Sequence, residues 1–114
     1  MGYEAGLEAF QQGDFARAAQ LWRDGYVPSQ RDGYTLQVLA ACEISTLERL
    51  RTQVQPSGRL FVVPTEIGGR RCYRVAWGVY ADPAAAEAAL SGVPPYFTAG
   101  GGRPVPVSMA RLAR

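Results

Sequence analysis

At 114 residues the chain has room for one compact domain and a small appendage. Charge is nearly balanced at +2, from twelve basic and ten acidic side chains, and every basic residue is arginine, so the dense positive stripe and large excess of a nucleic-acid binder are not there. Histidine is absent, Cys42 and Cys72 stand alone, and no apolar run reaches the roughly 18 residues of a membrane span, which excludes the usual general base, Ser/His and Cys/His nucleophile pairs, CxxC redox or metal motifs, and a transmembrane helix in this chain.

The first segment, YEAGLEAFQQGDFARAAQLWRDG, predicts two short helices around Gly13-Asp14. Leu7 and Phe10 share a face in the first, and Phe15, Ala18, Ala19 and Trp22 follow helical spacing in the second. Asp14 is a fitting N-cap and Gly25 a fitting stop. With Gly6, Gly13, Phe15, Ala18 and Trp22 in matching places, residues 1–25 resemble one tetratricopeptide or Sel1-like hairpin. One such unit cannot bury its own apolar face, so it is expected to dock on the next domain or to end a longer array. Residues 26–33, rich in Pro, Ser and Gly, read as a linker to a domain over 34–114.

Beyond it YTLQVLA, 34–40, alternates as a strand, with Tyr34, Leu36 and Val38 on one face and Thr35, Gln37 and Leu39 on the other. Ser45 and Glu48 have capping-box spacing, opening a helix striped by Leu47, Leu50 and Val54 that is expected to stop at Pro56-Ser57-Gly58. LFVVPTE, 60–66, is a second strand, and Pro64 marks it as an edge. Gly68-Gly69 turns into a third strand, RRCYRVAWGVY, 70–80. Asp82-Pro83 caps a helix with Ala86, Ala89, Leu90 and Val93 on one side, and PVPVSM is a fourth strand. The order predicts an α+β fold, β-α-β-β-α-β, a split βαβ of ferredoxin or RNP type. Its four-stranded antiparallel sheet carries both helices on one face and leaves the other open, with the helical hairpin appended. In a straight strand Arg74 alternates with Tyr73 and Val75, so it points to the open face beside Thr35, Gln37, Cys72 and Ala76. Trp77 shares the parity of Tyr73 and reads as core; Tyr96 and Phe97 read as loop anchors.

YTLQV in the first strand, YRVAWGVYAD in the third and AAAEAAL in the second helix, in this order and spacing, make residues 33–112 resemble the SPOR (sporulation-related repeat) domain. The resemblance implies a non-catalytic module of the bacterial periplasm or cell envelope that binds peptidoglycan glycan strands stripped of their stem peptides and targets a protein to the cell wall or division septum. It implies binding on the open sheet face. By position that carries to Gln37 and Arg74, within a surface of Thr35, Gln37, Leu39, Cys72, Arg74, Ala76 and Arg103. Some family members present large rings where Cys72 and Arg103 stand, so a stacking surface worth about 1 kcal/mol is lost here. Gln37 can donate and accept toward acetamido or hydroxyl groups, and Arg74 or Arg103 can fork onto a lactyl carboxylate. A protein-interaction module for envelope or division partners is the alternative. No nucleophile, base and orienting group can be named together, although Glu43 and Glu66 are a conceivable carboxylate pair, so no enzyme activity, metal or cofactor is expected.

An envelope location permits a disulfide, and the end of the first strand lies near the start of the third. A straight strand, however, puts Cys42 on the helix face and Cys72 on the open one, so a bridge requires a bulge or an early strand end. Bridged and free cysteines both remain open at this point.

Overall fold

Two short helices begin the chain because Phe10, Phe15, Ala18, Ala19 and Trp22, spaced for one helical face each, are all buried. In the computed structural model, which describes residues 2–54 and 59–112, α1 runs Tyr3–Gln11 and α2 runs Phe15–Leu21. The Asp14 carboxylate caps α2 by accepting from the Arg17 amide at 3.3 Å. Gly6 lets the two helices close, since a Cβ there would overlap the Trp22 indole, whose Nε1 donates to the Tyr3 carbonyl at 2.9 Å.

The expected stop at Gly25 does not form. A π-helical turn, Trp22–Tyr26, runs through the glycine into α3, Val27–Ser29, and Val27 is fully buried. The segment 26–33 is thus helical in its first half rather than a free linker. The reason is packing: Trp22 and Tyr26 set their rings 6.5 and 5.5 Å from Phe61, edge to face, which outweighs the cost of about 1 kcal/mol for one helical glycine.

The remaining elements follow the expected order. They are β1 (Tyr34–Ala41), α4 (Ile44–Gln53), β2 (Leu60–Ile67), β3 (Arg70–Tyr80), α5 (Pro83–Ala88), β4 (Val105–Ser108) and a final turn, α6 (Met109–Leu112). The sheet order is β2-β3-β1-β4, every pair antiparallel, so Pro64 lies on an edge strand as its missing N–H demands. Asp82 caps α5, accepting from the Ala85 amide at 2.8 Å. Ala86 and Val93 are buried, whereas Leu90, expected on the same side, is exposed because α5 ends at Ala88 and a 3-10 turn over Leu90–Gly92 rotates it outward. The Ser45–Glu48 capping box is not made. Helix α4 already starts at Ile44, which places Ser45 inside it, and Glu48 pairs with Arg51 at 2.7 Å instead. The expected stop at Pro56-Ser57-Gly58 lies outside the described residues.

Two irregularities set the register of the central strand pair. Between Tyr34↔Tyr80 and Leu36↔Trp77, β3 has one residue too many; between Gln37↔Ala76 and Leu39↔Val75, the extra residue is in β1. At the first, Gly78 takes φ +78°, its amide donates to the Arg59 carbonyl at 2.9 Å, and its carbonyl accepts from the Thr35 hydroxyl at 2.6 Å. The second bulge exchanges the faces of everything after Val38. Ala41 then stands opposite Tyr73, and Cys42 meets Cys72 in a disulfide with Cα atoms 4.1 Å apart. The bulge named above as a condition for a bridge is present.

Trp77 is core, 6% exposed, with its ring 6.3 Å from that of Phe97, which Tyr96 meets edge to face at 5.5 Å. The face opposite Trp77 is not bare throughout. Phe61, Val63, Ala76 and Thr35 belong to it by alternation and are all fully buried. The N-terminal helices lie against Phe61, Arg51 of α4 donates to the Gln11 carbonyl at 2.9 Å, and the Met109 amide of α6 donates to the Gly33 carbonyl at 2.9 Å. The helical hairpin therefore docks along the β2 edge, and the sheet stays open over its β1–β4 side.

Candidate functional site

That open part holds a groove of about 400 Å³ lined by Gln37 and Ala40 of β1, Ile67 of β2, Arg74 of β3, Val105, Pro106 and Val107 of β4, and Arg111 of α6. Strand pairing explains the assembly. Gln37 stands opposite both Ala76 and Val105, and Ala40 stands opposite Arg74, so side chains of three neighbouring strands converge on one surface. Arg74 is half-buried, and it projects from β3 between Cys72 and Ala76, both of which are sealed beneath the surface. Alternation along β3 thus puts the Arg74 guanidinium on the groove side, as expected.

The electrostatics are uncompensated. Among the described residues no carboxylate lines the groove, and the ion pairs lie elsewhere, at Arg23–Asp24, Arg51–Glu48 and Arg70–Glu43. A guanidinium without an ion-pair partner among the described residues has donors to spare, and its fork fits a carboxylate in two parallel hydrogen bonds. Apart from Gln37 and Arg111, the other lining residues are apolar. Val105 and Ile67 are 54% and 49% exposed, so the groove has an exposed hydrocarbon wall. No aromatic ring lines it.

Of the seven residues expected at the site, Gln37 and Arg74 are brought together in the groove. Four are not available there. Thr35 is fully buried and its hydroxyl is committed to the Gly78 carbonyl. Ala76 is fully buried beside it, and Cys72 is buried with its sulfur held by Cys42. Leu39 is moved to the Val75 face by the β1 bulge, packs against the core, and yields its place beside Arg74 to Ala40. Arg103 is exposed in the loop before β4 and is not part of the lining. Sequence reasoning missed Ala40, Ile67, Val105, Pro106, Val107 and Arg111. Alternation within PVPVS was signal enough for the β4 pair, whereas nothing local marks Arg111 or announces the bulge that exposes Ala40.

No helix among the described residues is long and apolar enough to cross a membrane. No curated protein and no solved structure matches the chain. The SPOR domain family model matches residues 30–107, more than half of the chain, and that span contains the whole four-stranded sheet up to Val107 and every groove residue except Arg111. The chain therefore belongs to the SPOR domain family, whose members are peptidoglycan-binding, non-catalytic modules of cell-envelope proteins.

Proposed function

We propose that the groove binds peptidoglycan glycan strands denuded of their stem peptides, and that this binding holds the polypeptide carrying the domain at the cell wall, at the division septum in particular. The observation that carries the reading is the uncompensated Arg74 guanidinium beside Gln37 on the open part of the sheet. In an intact strand the lactyl group of muramic acid is tied up as an amide with the stem peptide. Removal of the peptide frees a carboxylate, and a carboxylate is what an arginine fork recognises best. Gln37 supplies a donor and an acceptor for acetamido and hydroxyl groups, and the Val105–Pro106–Val107 wall offers hydrocarbon to the CH faces of the sugar rings. Thr35, Ala76, Cys72 and Leu39 have no part in this reading, because they are buried or face the core. Arg103 is left outside the contact surface.

The test is co-sedimentation of the pure protein with peptidoglycan sacculi before and after amidase treatment. Amidase-treated sacculi should retain several-fold more protein than untreated ones. Equal retention would remove the preference for denuded strands. No retention by either would point to an envelope protein as partner instead.

A further inference from the structure

Arg111 lies beyond residue 107, where the family match ends, yet it lines the same groove as Arg74. Its position is built rather than accidental. Met109 and Leu112, three apart on α6, are 0% and 2% exposed, so the turn is nailed to the core and Arg111 is carried on its outer side. The Met109 amide donates to the Gly33 carbonyl at 2.9 Å, and the Ser108 hydroxyl caps the turn by accepting from the Arg111 amide at 3.2 Å. Arg111, like Arg74, has no ion-pair partner among the described residues.

Two arginines thus face one groove with no carboxylate among the described residues of its lining, Arg74 on β3 and Arg111 beyond β4. The strands between them, at about 4.8 Å spacing, set the cations across three strands of sheet. One arginine suffices for one carboxylate. A second, displaced along the groove over an apolar wall, suits a ligand that carries anions at intervals along an uncharged backbone. We infer that Arg111 is a second carboxylate-binding residue, engaging the lactyl group of a muramyl residue other than the one held by Arg74, so that the groove reads a denuded strand over more than one disaccharide. This rests on the reading of the groove as a glycan site.

The experiment is calorimetric titration of the full chain with two soluble denuded oligomers, one containing a single muramyl residue and one containing several. Wild type, Arg74→Ala, Arg111→Ala and Arg111→Lys are compared. For the long oligomer Arg111→Ala should lose about tenfold in affinity, the lower end for a charge-assisted hydrogen bond because the side chain is exposed, and Arg111→Lys should recover part of the loss. The single-muramyl oligomer should distinguish wild type from Arg111→Ala far less. Long oligomer with its carboxyl groups reduced to alcohols should bind wild type and Arg111→Ala alike. Equal affinity of folded Arg111→Ala and wild type for the long oligomer, with Arg74→Ala impaired, would overturn the assignment and leave the glycan site standing. Failure of wild type to bind either oligomer would overturn both.

Discussion

At the residue scale the site reduces to one charge and one amide, and they should fail in different degrees. Arg74→Ala should leave the fold intact, because the side chain is half-buried and supports no ion pair among the described residues, but weaken denuded-glycan binding by about 1.5–3 kcal/mol. Gln37→Ala should cost about 0.5–1.5 kcal/mol, since its hydrogen bonds are neutral. The two losses should be coupled in a double-mutant cycle, because β1 and β3 set both side chains in one groove. Calorimetry on the four proteins checks this, and strict additivity would place them on separate contacts. A second residue-scale expectation concerns alkaline stability. Burial pushes the Tyr3 hydroxyl above its ordinary value of 10, helped by the nearby Tyr26 and Glu4, and burial raises Tyr26 as well. The unfolded chain therefore ionises first, so stability is complete below pH 10 and declines as pH climbs through and above it. Urea midpoints measured from about pH 8 to about pH 11 should fall at the alkaline end. Tyr3→Phe, which also gives up the hydroxyl's hydrogen bond to the Leu60 carbonyl, should flatten that decline.

At the element scale the β1 bulge decides both covalent structure and binding surface. One inserted residue brings Cys42 opposite Cys72, and the same shift puts Ala40 rather than Leu39 against Arg74. The small Ala40 leaves the groove room that a leucine would fill. Closing a loop between cysteines 30 apart should stabilise the fold by roughly 3–4 kcal/mol in the chain-entropy account. Denaturant titration of oxidised and reduced protein at constant pH measures this, and coincident curves would mean the bridge constrains nothing. Because the bridge pins the end of the bulged strand, reduction should also perturb the backbone amide resonances of residues 37–40, well away from the sulfurs.

At the scale of the whole molecule the N-terminal helices are structural cover. Phe10, Trp22 and Val27 are fully buried in one cluster with Phe61, Val63 and Ala76, which belong to the sheet. A fragment starting at residue 30 would keep the family-matched span but strip the cover from Phe61, a large ring now wholly out of water. At about 25 cal/mol per Å² of apolar surface, such exposure is worth several kcal/mol against a total stability of the order of 5–15 kcal/mol. The fragment should melt well below the full chain and bind an apolar dye, as circular dichroism and dye fluorescence would report. A fragment of unchanged melting temperature would show the hairpin to be a mere appendage. The same cover narrows the open surface to the β1–β4 side of the sheet, where no aromatic ring among the described residues lines the groove.

The sequence by itself determined the kinds of element, their order and the neighbours in the sheet. Those follow from signals carried within a few residues: the period of two in YTLQV and YRVAW, the helical stripe of Leu47, Leu50 and Val54, the cap at Asp82, and the edge mark at Pro64. It gave the side of the sheet on which Arg74 and Gln37 stand, because strand alternation holds on each side of an irregularity and the β1 bulge comes after Gln37. Only the tertiary structure decided the rest. The β1 bulge shows only in the pairing with β3, so parity carried past Val38 misassigned Leu39 and hid Ala40. Thr35 and Ala76 have the right parity and the wrong depth: both are fully buried, and alternation gives a side chain's face but not what covers it. Arg111 joins the groove through the anchoring of Met109 and Leu112 in a core assembled from both ends of the chain, a contact that no local pattern encodes.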